Sequence, residues 1–426
     1  MSDTTRRAVL AATAGAASAP LAATAAMAAP TRDWARLARD ESHWAKVAAL
    51  FDPPPSGGVV QLENGMFGAM ARSTRAAYEQ ASARVNRETT LYTRGPVNAD
   101  LRAVRVKAAA LLGVAVEEIV FTRGATESLQ TLIGGYNRLR PGDAVLYADL
   151  DYDAMQGAME WLAVRRGVRV VRIDLPEPAG RQNLIDAYEA ALKANPDVRM
   201  MLLTHLSHRT GLIPPVAEIA AMARARGVDV ILDGGHALGQ TEFRMADLGV
   251  PFAGLNMHKW IGSPLGVGLI YIARDRIGDI DVSMSEPASD RIEARIHTGT
   301  TNYAAVLATS QAIDAHLAIG LEAKAHRLRY LRDLWAETLR ADPAYEILTP
   351  NDPAMHAGLT SFRIRGRTSG EANVALRRLL HERFGIFTVE RFGVARGACV
   401  RVTPGFLNTA DDMHALTAAL KAARRL

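Results

Sequence analysis

Between about residue 117 and residue 272, short runs of β-branched and aliphatic residues alternate with segments of helical period, and this alternation constrains the fold more than any other feature of the chain. EEIVFT, DAVLYA, VRVVRI, VRMMLLTH, VDVILD and VGLIYI read as strands, with ATESLQTLIGGYNRL, YDAMQGAMEWLAVRRG, NLIDAYEAALKA and VAEIAAMARARG as helices between them. Apolar runs without a polar alternate face are buried on both sides, so the expected fold class is α/β, a mostly parallel sheet between helices. From about Asn302 the pattern changes to a long helical stretch expected to break near Gly320. Strand-like EILTP, TSFRIRG and ACVRVTP follow, with helical EANVALRRLLHERFG and ADDMHALTAALKAARR, which together predict a smaller α+β C-terminal domain. Upstream, Asp33 is placed to cap a helix through WARLARDESHWAKVAALF, ended by FDPPPSGG; a helix through RSTRAAYEQASARV, an irregular NRETTLYTRGPVN and a helix through LRAVRVKAAALLG come next. The expected organisation is an arm over 29–58, a large domain over 59–310 and a small domain over 311–426.

The first 28 residues read differently. Arg6 and Arg7 precede a weakly hydrophobic, alanine-rich run ending in AMAAP, the pattern of a twin-arginine export signal. Alanine contributes too little transfer energy for a stable membrane span. An exported or periplasmic location and the twin-arginine machinery as a partner are the expectation; a plain alanine-rich leader is the alternative. The formal net charge of +5 is spread along the chain without a Lys/Arg run, so a nucleic-acid partner is not expected. One cysteine, Cys399, permits neither an intramolecular disulfide nor a cysteine-based metal cluster.

Chemistry enters at Lys259. In NMHKWIGSPLGVGLIYI it lies between a polar run and a Gly/Pro turn just ahead of a strand, while VDVILD ends in Asp233 before GGHALGQ. A lone lysine is usually a solvated surface group. An acid at the end of a buried strand and a lysine ahead of the next one, however, face each other across the mouth of a parallel sheet, where ligands bind. Pyridoxal 5'-phosphate (PLP) needs such a pair: the lysine holds its aldehyde as a Schiff base and the acid keeps its pyridine nitrogen protonated.

The ordered blocks FTRGATES, DLDYDAM, THLSHRTGLIPPV, LDGGHALGQ with NMHKW, and TGTTN with VRVTPGFLNT resemble the class V aminotransferase family of fold-type I PLP enzymes, in particular its isopenicillin N epimerase-like branch. The resemblance implies a seven-stranded type of large-domain sheet, and it assigns roles. Gly124 turns a strand into a helix so that the Ala125 and Thr126 amides meet the phosphate, as helix N-termini do; an ordinary glycine turn is the alternative. Tyr152 would stack on the pyridine, or be a core tyrosine. Asp233 would pair with the ring nitrogen, and His236 would lie near the ring oxygen or substrate. Asn256 and His258 flank Lys259 near the phosphate, although Asn256 could equally cap a helix. His208 stands where many relatives carry asparagine for the ring oxygen. Thr300 would reach the phosphate of a neighbouring subunit, which implies a homodimer. Arg401 would grip a substrate carboxylate by a bidentate pair, or else be a surface strand arginine.

Cysteine desulfurases of this family carry a nucleophilic cysteine on a loop; here FTVERFGVARGA has none, and Cys399 falls on the strand itself, as a small buried hydrophobe would. These readings imply an enzyme acting on an amino acid or amino-acid-like amine, by transamination, epimerisation or elimination of a Cβ or C–S bond. A non-catalytic binding protein of the same fold is the alternative.

Overall fold

The computed structural model describes residues 33–53, 58–297 and 299–424. The leader expected at 1–28 lies outside them. A seven-stranded sheet runs in the order Ile119–Thr122, Gly268–Ile272, Phe252–Asn256, Asp229–Gly234, Val198–Thr204, Ala144–Ala148, Arg169–Ile173. Gly268–Ile272 is antiparallel to both neighbours, and every other pairing is parallel. The four central strands Ala144–Ala148, Val198–Thr204, Asp229–Gly234 and Phe252–Asn256 are almost wholly buried, as a sheet covered on both faces requires. Phe252–Asn256 escapes the sequence pattern: FAGLN has no β-branched residue and carries Gly254. A Cβ at Gly254 would stand 2.6 Å from Leu129 Cγ, so glycine is what lets the helix Ala125–Gly135 lie on the strand.

The C-terminal domain holds an antiparallel sheet ordered Val389–Arg391, Cys399–Val402, Thr360–Ile364, Tyr345–Ile347. It packs on Trp335, Leu339, Leu380 and Leu416 in a core of its own. The expected break in the long helix occurs at Gly320, whose φ of 94° is easy only for glycine; Tyr303–Ile319 and Leu321–Arg340 meet there at 70°. Two helices differ from expectation. The arm's helix is split into Trp34–Arg39 and Glu41–Ala48, because Asp40 accepts the His43 N–H and caps a new start. The helix from Arg72 runs on to Thr93 through a kink at Thr89 (φ 46°), and its last turn is held by Tyr92 donating to Asp100 at 2.7 Å. Among the described residues no single helix is long and apolar enough to cross a membrane.

Val60–Gln61 adds a short parallel pairing to Ile386–Phe387. This tie carries the 62–68 stretch across to the carboxyl ends of the large-sheet strands, where the site lies.

Candidate active site

At those strand ends, sequence-distant turns are clamped together. Asn256, closing its strand, accepts the Ala125 N–H at 2.8 Å and donates to the Gly235 carbonyl at 3.2 Å. Of the two amides expected to meet a phosphate, Ala125's is therefore engaged by Asn256, and Thr126's stays in the unpaired first turn of the helix. A Cβ on Gly268 would sit 2.5 Å from Gly124 Cα, so glycine there allows this turn to close. His258 Nδ1 donates to the Val267 carbonyl at 3.0 Å, fixing the ring beside Gly124.

Asp233 is buried and accepts the Gly235 N–H at 2.9 Å; burial raises its pKa, and the Gly235 bond and Lys259 oppose the rise. Lys259 Nζ lies 2.9 Å from His236 Nε2. Burial drives the Lys259 ammonium down to about 8 even though Asp233 pulls it up. Burial, and then the Lys259 charge, keep His236 neutral by pushing its pKa well below the usual histidine range. With Nε2 accepting from Lys259, the imidazole proton sits on Nδ1, which is buried with no hydrogen-bond partner among the described residues. A buried N–H without an acceptor costs about 1–3 kcal/mol, so this one suits a cofactor or substrate oxygen.

Opposite stands a basic wall. Arg401, buried in the strand Cys399–Val402, donates to the His208 carbonyl at 2.7 Å and to both oxygens of Glu63. Its fork, expected to hold a substrate carboxylate, thus holds one from its own chain. Arg391 lies beside it, with Nη2 3.6 Å from Glu63. Tyr152 meets His208 edge to face, with centroids 5.1 Å apart. His208 is neutral, its pKa lowered by burial and then by Arg401. A Cβ at Gly65 would come within 2.7 Å of Arg401 and 3.4 Å of His236, and one at Gly68 within 2.0 Å of the Lys259 carbonyl. Glycines at both positions let the 63–68 stretch pack against the lysine turn.

All the cofactor- and substrate-site residues expected from the sequence except Thr300 line one cavity of about 970 Å³. Thr300 is exposed and does not line it. Cys399 is fully buried outside that lining, with Sγ 3.7 Å from the Arg209 carbonyl, and burial lifts its thiol to about 11. Sequence reasoning missed Glu63 and Arg391. A Glu in LENG and an Arg in VERFG carry no motif; the pairing of Val389–Arg391 with Cys399–Val402 brings Arg391 to Arg401, and a parallel bridge from Glu63 to Thr403 brings Glu63 there.

The residues present fit PLP: a depressed lysine amine, a buried carboxylate, an unpaired imidazole N–H and a helix N-terminus share one cavity. A family model, "Aminotransferase class-V", matches residues 68–416. Isopenicillin N epimerase of Streptomyces clavuligerus is 28% identical over 398 residues, covering 88% of this chain and 96% of that protein. The fold is that of the cysteine desulfurase CsdA from Escherichia coli (TM-score 0.74, 22% identity, 90% of this chain and 98% of that one). It is likewise that of a C-DES mutant with glycine covalently linked to its PLP cofactor (TM-score 0.73, 20% identity, 85% and 96%). With its matched span covering most of the sequence and its cavity furnished for that cofactor, the chain belongs to the class-V aminotransferase family of PLP-dependent enzymes.

Proposed function

We propose that this chain is an exported, homodimeric PLP enzyme that transforms an amino acid, or an amine carried on a larger amino-acid-like molecule, at Cα or Cβ without a protein persulfide. The observation that carries the reading is the trio Lys259, His236 and Asp233 in one cavity, with the lysine amine at about 8. PLP, when bound, supplies the electron sink that makes bonds to Cα labile. Lys259 would hold the cofactor through its amine and, as a free amine of lowered pKa, would move a proton at the substrate's Cα. Its depressed pKa leaves a useful share of free base near neutral pH. His236 steadies the lysine nitrogen through Nε2. Asp233 offers a carboxylate to the ring nitrogen.

The absence of a mobile cysteine supports the non-persulfide reading, because Cys399 is buried and protonated well above neutral pH. Exposure of Thr300 supports a role toward a second subunit, and the Arg6–Arg7 pair supports twin-arginine export.

Borohydride treatment of the purified protein followed by peptide mapping is the central experiment, with a reduced PLP adduct expected at Lys259. An adduct at another lysine would refute the reading. Incubation with an amino-acid panel, with and without a keto-acid acceptor, then separates transamination from epimerisation and elimination. Replacing Arg6 and Arg7 by lysine is expected to hold the protein in the cytoplasm, and unchanged export would refute the twin-arginine route. Light scattering is expected to give a dimer.

A further inference from the structure

The 70° bend at Gly320 brings together two side chains that a straight helix would hold about 12 Å apart. Lys324 Nζ lies 2.9 Å from His316 Nδ1 and donates to the Trp260 carbonyl at 2.6 Å. Both residues line a second cavity, of about 840 Å³, which shares only Glu63 and Lys259 with the walls of the cofactor cavity. Phe51, Ile319, Phe406 and Leu407, from one apolar cluster, form much of its lining. Three buried donors of lining residues have no partner among the described residues: Thr74 Oγ1, Trp260 Nε1, and His316 Nε2, which carries the imidazole proton when Nδ1 accepts from the lysine. Lys324 itself is 1% exposed, and no carboxylate among the described residues bonds to it. The acids of the lining are engaged elsewhere. Glu63 is held by Arg401, Asp52 by Arg75 at 3.0 Å, and Asp412 by the Thr409 N–H at 3.0 Å and Asn408 at 2.9 Å.

We propose that this second cavity is a binding site for an organic carboxylate, with the anionic head at Lys324 and His316 and an apolar body along Phe51, Ile319 and Phe406. A buried ammonium without a counter-ion is costly, and an incoming carboxylate relieves that cost. A neutral polar ligand would satisfy the His316, Thr74 or Trp260 donors and leave the charge unmet. An inorganic anion would meet the charge and leave the apolar wall uncovered, so charge and wall together select an amphipathic acid. A cationic head is repelled by Lys324 itself. Burial alone holds the Lys324 ammonium at about 7, so a large share of it is charged near neutral pH, and a bound carboxylate raises that share. The inference goes beyond the proposed activity and does not rest on it. Because Lys324 also holds the carbonyl that follows Lys259, an occupant of this cavity sits next to the turn that carries the reactive lysine.

Isothermal titration calorimetry of the PLP-loaded protein with octanoate reads the site. Saturable binding is expected, and 1-octanol, which keeps the body and lacks the charge, is expected to bind at least about tenfold more weakly, the scale of losing a buried charge partner. Lys324→Met is expected to weaken octanoate by at least about tenfold and to leave octanol within about threefold. Ala315→Trp, which fills the cavity, is expected to lose both, while circular dichroism checks that each variant is folded. An octanoate carrying an aliphatic diazirine, mapped by peptide mass spectrometry, then places the ligand in the wild-type protein. Label that plain octanoate competes away is expected on peptides carrying Phe51, Ile319 or Phe406. Label confined to peptides of the cofactor cavity, such as those carrying Arg391 and Arg401, overturns the proposal. So does octanol binding as tightly as octanoate, or no saturable binding of octanoate. Should Lys324→Met not fold, the octanol comparison and the mapping in the wild type decide. None of these readouts uses turnover or the lysine–PLP link, so failure of the borohydride experiment would strike the proposed function and leave this result standing.

Discussion

Two buried lysines flank the same turn, and their contrast explains what makes one of them a reagent. Lys259 and Lys324 are both pushed down by burial, to about 8 and about 7, and each lies 2.9 Å from a histidine nitrogen. Lys324 donates to the Trp260 carbonyl at 2.6 Å and to His316 Nδ1, over the Phe406 ring at 4.8 Å. Its pKa is governed by burial alone. Lys259 instead shares the cavity of about 970 Å³ with Asp233, Arg391 and Arg401, so other charges tune its pKa as well. Burial makes a lysine pliable; a partner acid makes it useful. Lys324 acts as a strut, holding the carbonyl of the residue that follows the reactive one.

The largest break in this contrast is Lys259→Ala, which is expected to abolish the borohydride-reducible link to PLP and all detectable turnover. Lys324→Met is expected to keep the link, and an adduct found at Lys324 would invert the assignment. Asp233→Asn comes next, with a loss in turnover of roughly 10²-fold, the scale of removing one preorganised charge from a site, and with cofactor partly retained. Wild-type rates in that variant would remove Asp233 from the chemistry.

Lys324→Met sharpens the comparison further. Displacing the lysine turn by a fraction of an ångström is expected to cost about tenfold in kcat, with KM little changed. The variant also carries a pH signature. A lysine whose folded pKa lies below its unfolded value of about 10.4 imposes its full penalty below about pH 7 and releases it as pH rises toward the unfolded value. Wild-type stability should therefore gain between about pH 7 and 10 relative to Lys324→Met, measured by urea melts at several pH values. Parallel curves would show that Lys324 is not a buried cation. Smallest is Cys399→Ser, expected to keep activity within about twofold. A fall of about two orders of magnitude with PLP bound would make that thiol a nucleophile.

How much of this was legible beforehand depends on the range of the interaction. The strand ends carrying Asp233 and the turn carrying Lys259 are local patterns, and they read correctly as neighbours at a sheet mouth. The strand Phe252–Asn256 was invisible because its defining feature is a glycine beneath a helix 125 residues upstream. The break at Asp40 was missed because WARLARDESHWAKVAALF keeps its apolar period across a capping aspartate. The Arg401 fork is legible because its motif is local, whereas Glu63, the carboxylate it holds in this structure, lies 338 positions away. Asn256 illustrates both ranges: its place beside Lys259 is in the motif, and its bond to Ala125 spans 131 residues.

That spacing also sets an order of events for a chain made from its N-terminus. The stretch at 60–64 can find its place only after Phe387 and Thr403 exist, and the contact it makes with Arg401 closes a loop of most of the protein's length. Contacts of such separation form late in folding, because the entropy of closure precedes any reward. The cofactor pocket is therefore finished by the first and last tenths of the catalytic body meeting. A nascent chain stalled before residue 385 would lack the wall that shields Asp233 and Lys259. Cofactor capture becomes a report that synthesis is complete.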